Sequence, residues 1–338
     1  HKAIRRQRQM CIRDSARAVR GPHPHARPTA SGHGRRRVGR GGGHGDHASD
    51  DHHALVRGEA VSGAGRILSF IAAGDPNRPL VVLLHGVCDA AIAWSDYIDY
   101  LSHDFRVVAV DMLGHGLSPR YADAQLRHPF ESAYEAFEET VEYLEHVHGG
   151  RAIMIGHSMG GAIVTMLVRR RPDLCLGAVV EDPAWLNDEQ RQRYVDNAPA
   201  NAALLHDWAS DPANAIRHNQ TRRPNWPMED HIGWAYGQNR CDPRLELTGV
   251  VSFAEDWHQV VSSIEVPLVV VSSDDPSDLV GVRGLEEVRA MGKPNLETVF
   301  IPGCEHGLRR TDIAAFNQAV TPILHRWAAC ESHVSGEI

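Results

Sequence analysis

At 338 residues with 42% apolar content, the chain is long enough for one large domain or two small ones with a sizeable core. The net charge of −8 hides an asymmetry: residues 1–48 hold twelve Lys/Arg against two Asp/Glu, leaving 23 basic and 41 acidic side chains elsewhere. An acidic body argues against nucleic acid or an anionic membrane as partner, and no stretch has the apolar length of a bilayer span or the apolar core of a signal peptide.

Six cysteines (Cys11, Cys88, Cys175, Cys241, Cys304 and Cys330) are scattered without paired spacing, which fits reduced thiols in a cytoplasm better than a disulfide framework. Residues 1–54 are dominated by Gly, Arg, His and Pro and read as a disordered basic tail with too few apolar residues for a core. Its histidines (His23, His25, His33, His44, His47, His52 and His53) have no fixed ligand geometry, so a metal tract is disfavoured. The segment Met10-Cys11-Ile12-Arg13-Asp14-Ser15 resembles translated adapter sequence, which marks part of this tail as artefactual and keeps it out of the fold.

From residue 55 the pattern changes. Residues 66–73 (RILSFIAA) read as a strand, and residues 80–84 (LVVLL) form the continuous apolar run of a strand buried on both faces. Helical spacing follows over 93–101, then a buried strand over 105–111, a loop at Gly114-His115-Gly116-Leu117-Ser118, and a helix over 131–148. Residues 152–155 form the next strand and 176–180 a sixth, leading to Glu181-Asp182-Pro183. The alternation then stops. Residues 184–255 are polar with helical patches, interrupted by five prolines, and carry Trp185, Trp208, Trp226 and Trp234, so they read as a helical insertion. Sheet rhythm resumes at 267–273, followed by a helix over 282–291, a strand over 297–301 and a helix from 312; residues 331–338 form a C-terminal tail. Strands alternating with helices predict a mostly parallel sheet covered on both faces, with 55–183 and 256–330 as its core.

The chemistry centres on Gly156-His157-Ser158-Met159-Gly160, set between a buried strand and a helix with apolar positions at Ile163, Met166 and Leu167. Strand, tight turn and helix is the context in which G-x-S-x-G marks a nucleophilic serine, because the turn needs small flanking residues and lifts the hydroxyl off the sheet edge. Ser158 requires a base, itself oriented by a third group. Loops at the C-terminal ends of parallel strands gather on one edge, so the base candidate is His306, directly after the last strand. His157, His85 and His115 are read as pointing elsewhere or bracing loops. The acid stays open between Asp274 or Asp275, after the seventh strand, and Asp182 or Glu181, after the sixth. Two N–H donors should face the developing oxyanion: Met159, after the nucleophile, and Val87, after LVVLL, where Gly86 permits close approach. Cys88 is read as a pocket-lining residue, since nothing nearby would clearly lower its pKa.

His85-Gly86 after a buried strand, Asp111-Met112-Leu113-Gly114-His115-Gly116-Leu117-Ser118, Gly156-His157-Ser158-Met159-Gly160-Gly161 and Gly303-Cys304-Glu305-His306 together resemble the alpha/beta-hydrolase family over residues 55–330. The resemblance implies an eight-stranded sheet, with its first strand unclear here, and a helical lid after the sixth strand, where 184–255 lies. The family usually has a glycine after the seventh strand and its acid three residues later; here those positions are Ser273 and Pro276. A subgroup similar to this chain has Gly-Asp-Pro there and Glu-Asp-Pro after the sixth strand, which favours Asp274, while other members place the acid at the spacing of Asp182. The expected activity is a carboxylic ester hydrolase, cleaving an ester, lactone or thioester of a moderately large apolar or aromatic substrate through an acyl-enzyme, with no cofactor or metal. Trp185 is expected to line the substrate site. A carbon–carbon bond hydrolase of ring-cleavage dienoates, using Arg222, Arg223 or Arg309 for the substrate carboxylate, is the alternative; a slow or non-catalytic ligand receptor on the same fold is the third. The partner is a small molecule, and oligomeric state is left open.

Overall fold

The structure, a computed structural model, describes residues 56–57 and 67–334; the expectations for residues 1–54 fall outside them. The described strands are β1 (Val56–Arg57), β2 (Phe70–Ala73), β3 (Leu80–Leu84), β4 (Arg106–Val110), β5 (Ala152–His157), β6 (Cys175–Glu181), β7 (Leu268–Ser272) and β8 (Leu296–Phe300). They form one sheet in the order β1-β2-β4-β3-β5-β6-β7-β8. The β1–β2 and β2–β4 pairs are antiparallel and all the others parallel. A two-residue β1 carries no periodicity, which is why no sequence pattern marks it.

The helices are α1 (Ser95–Ser102), α2 (Pro129–His148), α3 (Met159–Arg170), α4 (Asp188–Ser210), α5 (Pro212–Arg222), α6 (Met228–Arg240), α7 (Pro243–Glu246), α8 (Trp257–Ser262), α9 (Gly281–Ala290), α10 (Leu308–Thr311) and α11 (Ile313–Val334). The last helix runs past the boundary expected at 330, since the chain has no glycine or proline between Pro322 and Gly336 to end it. Among the described residues no helix is long and apolar enough to cross a membrane.

Side-chain alternation along each strand splits the core between the two faces of the sheet. On β3, Leu80, Val82 and Leu84 pack with α2, α3 and α9, whereas Val81 and Leu83 pack with α1 and α11. Every β3 side chain is therefore buried, which is why this strand reads as an unbroken apolar run. Full burial of each such side chain contributes about 1.5–3 kcal/mol, so the central strands form a stiff base for the loops at their C-terminal ends.

Five helices lie between β6 and β7: α4 to α7 fall in the stretch 184–255 expected as an insertion, and α8 follows it. Asn187 caps α4 with a reciprocal bond to Gln190, and Asp211 and Asp242 cap α5 and α7 through their side chains. A buried ion cluster pins this insertion to the core. Arg309 Nη1 bonds both oxygens of Asp96 on α1 (2.6 and 2.8 Å), and its Nη2 reaches Asp230 on α6 at 3.4 Å. Arg310 joins Asp89 at 2.5 Å and Asp230 at 3.3 Å.

Candidate active site

Ser158 occupies the turn between β5 and α3 with φ 53° and ψ −119°, an unfavourable backbone conformation for a residue with a side chain. Its flanks explain how it is held. A Cβ at Gly156 would stand 2.5 Å from the Gly160 carbonyl oxygen, and one at Gly160 would stand 2.5 Å from that of Leu84. Glycine at both positions lets α3 start directly against β3 and β5. The Ser158 N–H donates to the Glu181 carbonyl (3.0 Å) and its carbonyl accepts from Ala184 N–H (2.9 Å), tying the turn to the end of β6.

His306 lies in the loop after β8. Its Nδ1 donates to Asp182 Oδ2 at 2.5 Å. Asp182 is fully buried with φ 35°, and its carboxylate is saturated: Oδ2 also accepts from Leu279 N–H (2.8 Å), while Oδ1 accepts from Ser272 Oγ (2.8 Å) and Val280 N–H (3.0 Å). A proton fixed on Nδ1 leaves Nε2 of the neutral ring as an acceptor. Among the described residues, neither this Nε2 nor the Ser158 hydroxyl is bonded to another protein group. Catalytic hydrogen bonds are often long without substrate and tighten when it binds.

This geometry corrects the choice of Asp274. That carboxylate is exposed and accepts from Gly303 N–H (2.8 Å), bracing the turn that leads to His306 rather than the imidazole. The Ser273 hydroxyl donates to the Cys304 carbonyl (2.6 Å), and the chain then turns outward, so Asp274 leaves the sheet edge facing solvent. Asp275 caps its own turn through Ser277 N–H. Glu181 is buried, with its pKa raised by that burial, and accepts from Arg309 N–H (2.9 Å).

His157 Nε2 donates to the His306 carbonyl (3.1 Å), and the two rings pack with centroids 4.8 Å apart. Burial pushes the His157 pKa well below the ordinary imidazole range, so no second positive charge forms beside His306.

The loop after β3 is braced from three sides. His85 Nδ1 bonds the Gly86 carbonyl (2.7 Å) and its Nε2 accepts from Met112 N–H (3.0 Å); burial lowers its pKa to about 4, keeping it neutral. His115 Nε2 accepts from Cys88 N–H (3.1 Å), and Gln238 of α6 donates to the Cys88 carbonyl (2.7 Å). Asp111 accepts from Ala91 N–H (2.7 Å) and Leu117 N–H (2.9 Å), so the Asp111–Ser118 motif serves as scaffold. A Cβ on Gly86 would stand 3.1 Å from Ser158 Cβ, which brings the loop against the serine. Among the described residues, the Val87 and Met159 N–H groups have no protein acceptor.

Val87 and Cys88 form one wall of a cavity of about 220 Å³ whose other sides include Tyr194, Leu205, Trp208 and Trp234 of the insertion. Glu246 is its one charged lining residue. Trp185 is not among these residues. It is buried in the core, its indole N–H donates to Thr165 Oγ1 (3.0 Å), and it stacks on Trp257 at 5.2 Å. The signal for the actual wall was present in the i, i+4 spacing of Leu204 and Trp208 on an insertion helix. Arg309 is committed to Asp96 and Asp230, and Arg223 lies over Trp226 and 3.4 Å from Glu305.

Residues 79–223 match the profile of the alpha/beta hydrolase fold. The chain is 38% identical over 224 residues to the (E)-2-((N-methylformamido)methylene)succinate hydrolase of Acinetobacter baylyi, covering 60% of this chain and 74% of that protein. It is 25% identical to the bifunctional esterase/perhydrolase DCH of Acinetobacter calcoaceticus over 72% of this chain and 91% of that one. The solved structure of an E-2-(acetamidomethylene)succinate hydrolase superposes with a TM-score of 0.63 at 20% identity, over 76% of this chain and 95% of the other.

Proposed function

The chain belongs to the alpha/beta hydrolase family, and from that premise we propose that it is a serine hydrolase in which Ser158, His306 and Asp182 act as nucleophile, base and orienting acid. The observation that carries this reading is the buried, saturated Asp182 carboxylate holding His306 Nδ1 beside the Ser158 turn. Ser158 Oγ attacks the substrate carbonyl as His306 Nε2 takes its proton, and Asp182 stabilises the imidazolium. The tetrahedral oxyanion is met by the Val87 and Met159 N–H groups at the positive end of α3. The imidazolium then protonates the leaving group, and water resolves the acyl-enzyme by the same route.

The inserted helices over 184–255 serve as a lid that shapes the acyl pocket. Trp208, Trp234, Tyr194 and Leu205 support an apolar or aromatic ester, thioester or lactone as substrate. Glu246 opposes a carboxylate there, and Arg223 and Arg309 are occupied by acids of the protein, which supports an uncharged ester over a dienoate or succinate-derived substrate. Five free thiols among the described residues support a reducing, cytoplasmic setting.

A fluorophosphonate probe is the direct test. It should label Ser158 stoichiometrically, and Ser158→Ala should abolish labelling with the circular dichroism spectrum unchanged. Equal labelling of the alanine variant refutes the assignment. A substrate panel of p-nitrophenyl esters, aryl lactones, thioesters and a ring-cleavage dienoate then separates ester from carbon–carbon hydrolysis.

A further inference from the structure

Cys88 and Cys241 meet where the core joins the inserted helices. Their sulfurs lie 2.9 Å apart although 153 residues separate them in sequence. Cys88 follows Val87 directly, holds a left-handed φ of 56°, and lines the acyl cavity, which gives a small solute access to its sulfur. Cys241 ends α6. Buried cysteines ordinarily behave as small apolar residues, but this pair has a polar surround. The Cys88 thiol also lies 3.2 Å from Glu246 Oε2, and Cys241 Sγ lies 3.6 Å from His115 Nε2. Donation from the Cys88 thiol, with the nearby His115 ring, holds the Cys241 pKa below the ordinary thiol range, and the same contact with burial pushes Cys88 up. One sulfur disposed to be a thiolate beside one that keeps its proton is a suitable start for disulfide chemistry.

We propose that Cys88 and Cys241 form a thiol-oxidation site at which a peroxide joins them into a disulfide, and that this bond switches off the adjoining hydrolytic site. One sulfur, as thiolate, attacks a peroxide oxygen; the O–O bond breaks, giving a sulfenic acid and hydroxide. The second sulfur attacks the sulfenic sulfur, the S–S bond forms, the S–O bond breaks, and a second hydroxide leaves. The two thiol protons convert both hydroxides to water. Two thiols are oxidised by two electrons and one hydrogen peroxide is reduced.

Closing the contact to a covalent length of about 2.05 Å draws the sulfurs together by about 0.9 Å. It also removes the one Cys88 thiol proton, for which Cys241 Sγ and Glu246 Oε2 are alternative acceptors. Because the strained Cys88 backbone is continuous with Val87, the oxyanion donor moves with it. A displacement near 1 Å at a reacting centre costs up to about a hundredfold in rate. The crosslink itself depends only on the sulfur geometry; the loss of turnover rests on the role proposed above for Val87.

The full chain, reduced and then titrated with hydrogen peroxide, should gain a Cys88–Cys241 crosslink in non-reducing peptide mass maps. Turnover of a p-nitrophenyl ester should fall at least about tenfold in step with it and return on adding dithiothreitol. Cys241→Ser should lose both the crosslink and the reversible inhibition, whatever its starting rate. Oxidation confined to the exposed Cys330 overturns the proposal, as does a complete crosslink with turnover unchanged. If Cys241→Ser does not fold, the wild-type map still decides. An enzyme inert to every ester that nonetheless gains the crosslink refutes the hydrolase reading and leaves the oxidation site standing; an active enzyme without the crosslink refutes the site alone.

Discussion

Replacing Asp182 by asparagine removes one lone-pair set and adds two donors at a site where four donors converge. If the amide oxygen takes the Oδ1 position, it keeps Ser272 Oγ and Val280 N–H, but the new NH₂ then faces Leu279 N–H and His306 Nδ1. The imidazole must present an unprotonated Nδ1 to that NH₂, which moves its proton to Nε2, where it can no longer accept from Ser158. If the amide is flipped, His306 keeps its partner, but the NH₂ opposes Val280 N–H. Either way one half-buried backbone N–H goes unpaired, at a stability cost of about 1 kcal/mol. The wrong tautomer lowers kcat by about 10⁴, or roughly 5 kcal/mol of transition-state stabilisation, with little change in KM. Asp274→Asn loses only a turn-bracing acceptor and should keep kcat within a few-fold. Initial rates on p-nitrophenyl esters at one pH, with circular dichroism to confirm folding, compare the two. An Asp182→Asn enzyme within tenfold of wild type beside a crippled Asp274→Asn enzyme would refute this account.

Other consequences are equally specific. Trp185→Ala should lower stability by about 3–5 kcal/mol with little effect on KM, because the ring fills the core, whereas Trp234→Ala should raise KM for bulky aryl esters more than for acetate esters. Thermal melts and steady-state kinetics on both variants separate the two roles. Arg309→Met leaves Asp96 without its guanidinium and the buried Asp230 with only that of Arg310, and should cost about 3 kcal/mol, seen as a lower melting temperature. The buried neutral His85 has a folded pKa of about 4, below its unfolded value, so the unfolded chain binds more protons between pH 6.5 and 4. Stability should therefore fall on acidification through that window, by about 3 kcal/mol from this residue alone, and denaturant midpoints at pH 7 and pH 4.5 check the sign.

The serine turn and the histidine were legible because each is a local pattern: a glycine-framed turn between apolar runs, and a polar loop directly after a strand. The acid was not, for a geometric reason. Glu181 pairs with Val271 in the sheet, so β6 and β7 end side by side and deliver Asp182 and Asp274 to the same edge. What separates them is the φ of 35° that turns Asp182 inward and the pair of N–H groups from Leu279 and Val280, 97 and 98 residues away in sequence. Trp185 misled similarly. It directly follows the β6 loop, yet Thr165 on α3 draws its indole into the core, and no periodicity connects those two positions. The strand pattern itself was readable because full burial on both faces leaves an unbroken apolar run, whereas the two-residue β1 leaves no pattern at all.

The Arg309–Arg310 cluster has a bearing on how this enzyme can be rebuilt. Both arginines follow His306 within four residues, and Arg309 N–H also grips Glu181, one position before Asp182. Asp230 is the point at which α6 enters that cluster. A chimera carrying the inserted helices of another hydrolase therefore cannot be cut simply at the ends of β6 and β7. Unless the donor segment brings an acid to the place of Asp230, two guanidinium groups lose a buried counter-charge, and the first loop to feel it is the one that carries His306. Retaining Asp230 while varying Tyr194, Trp208 and Trp234 leaves the pocket open to redesign with the chemistry undisturbed.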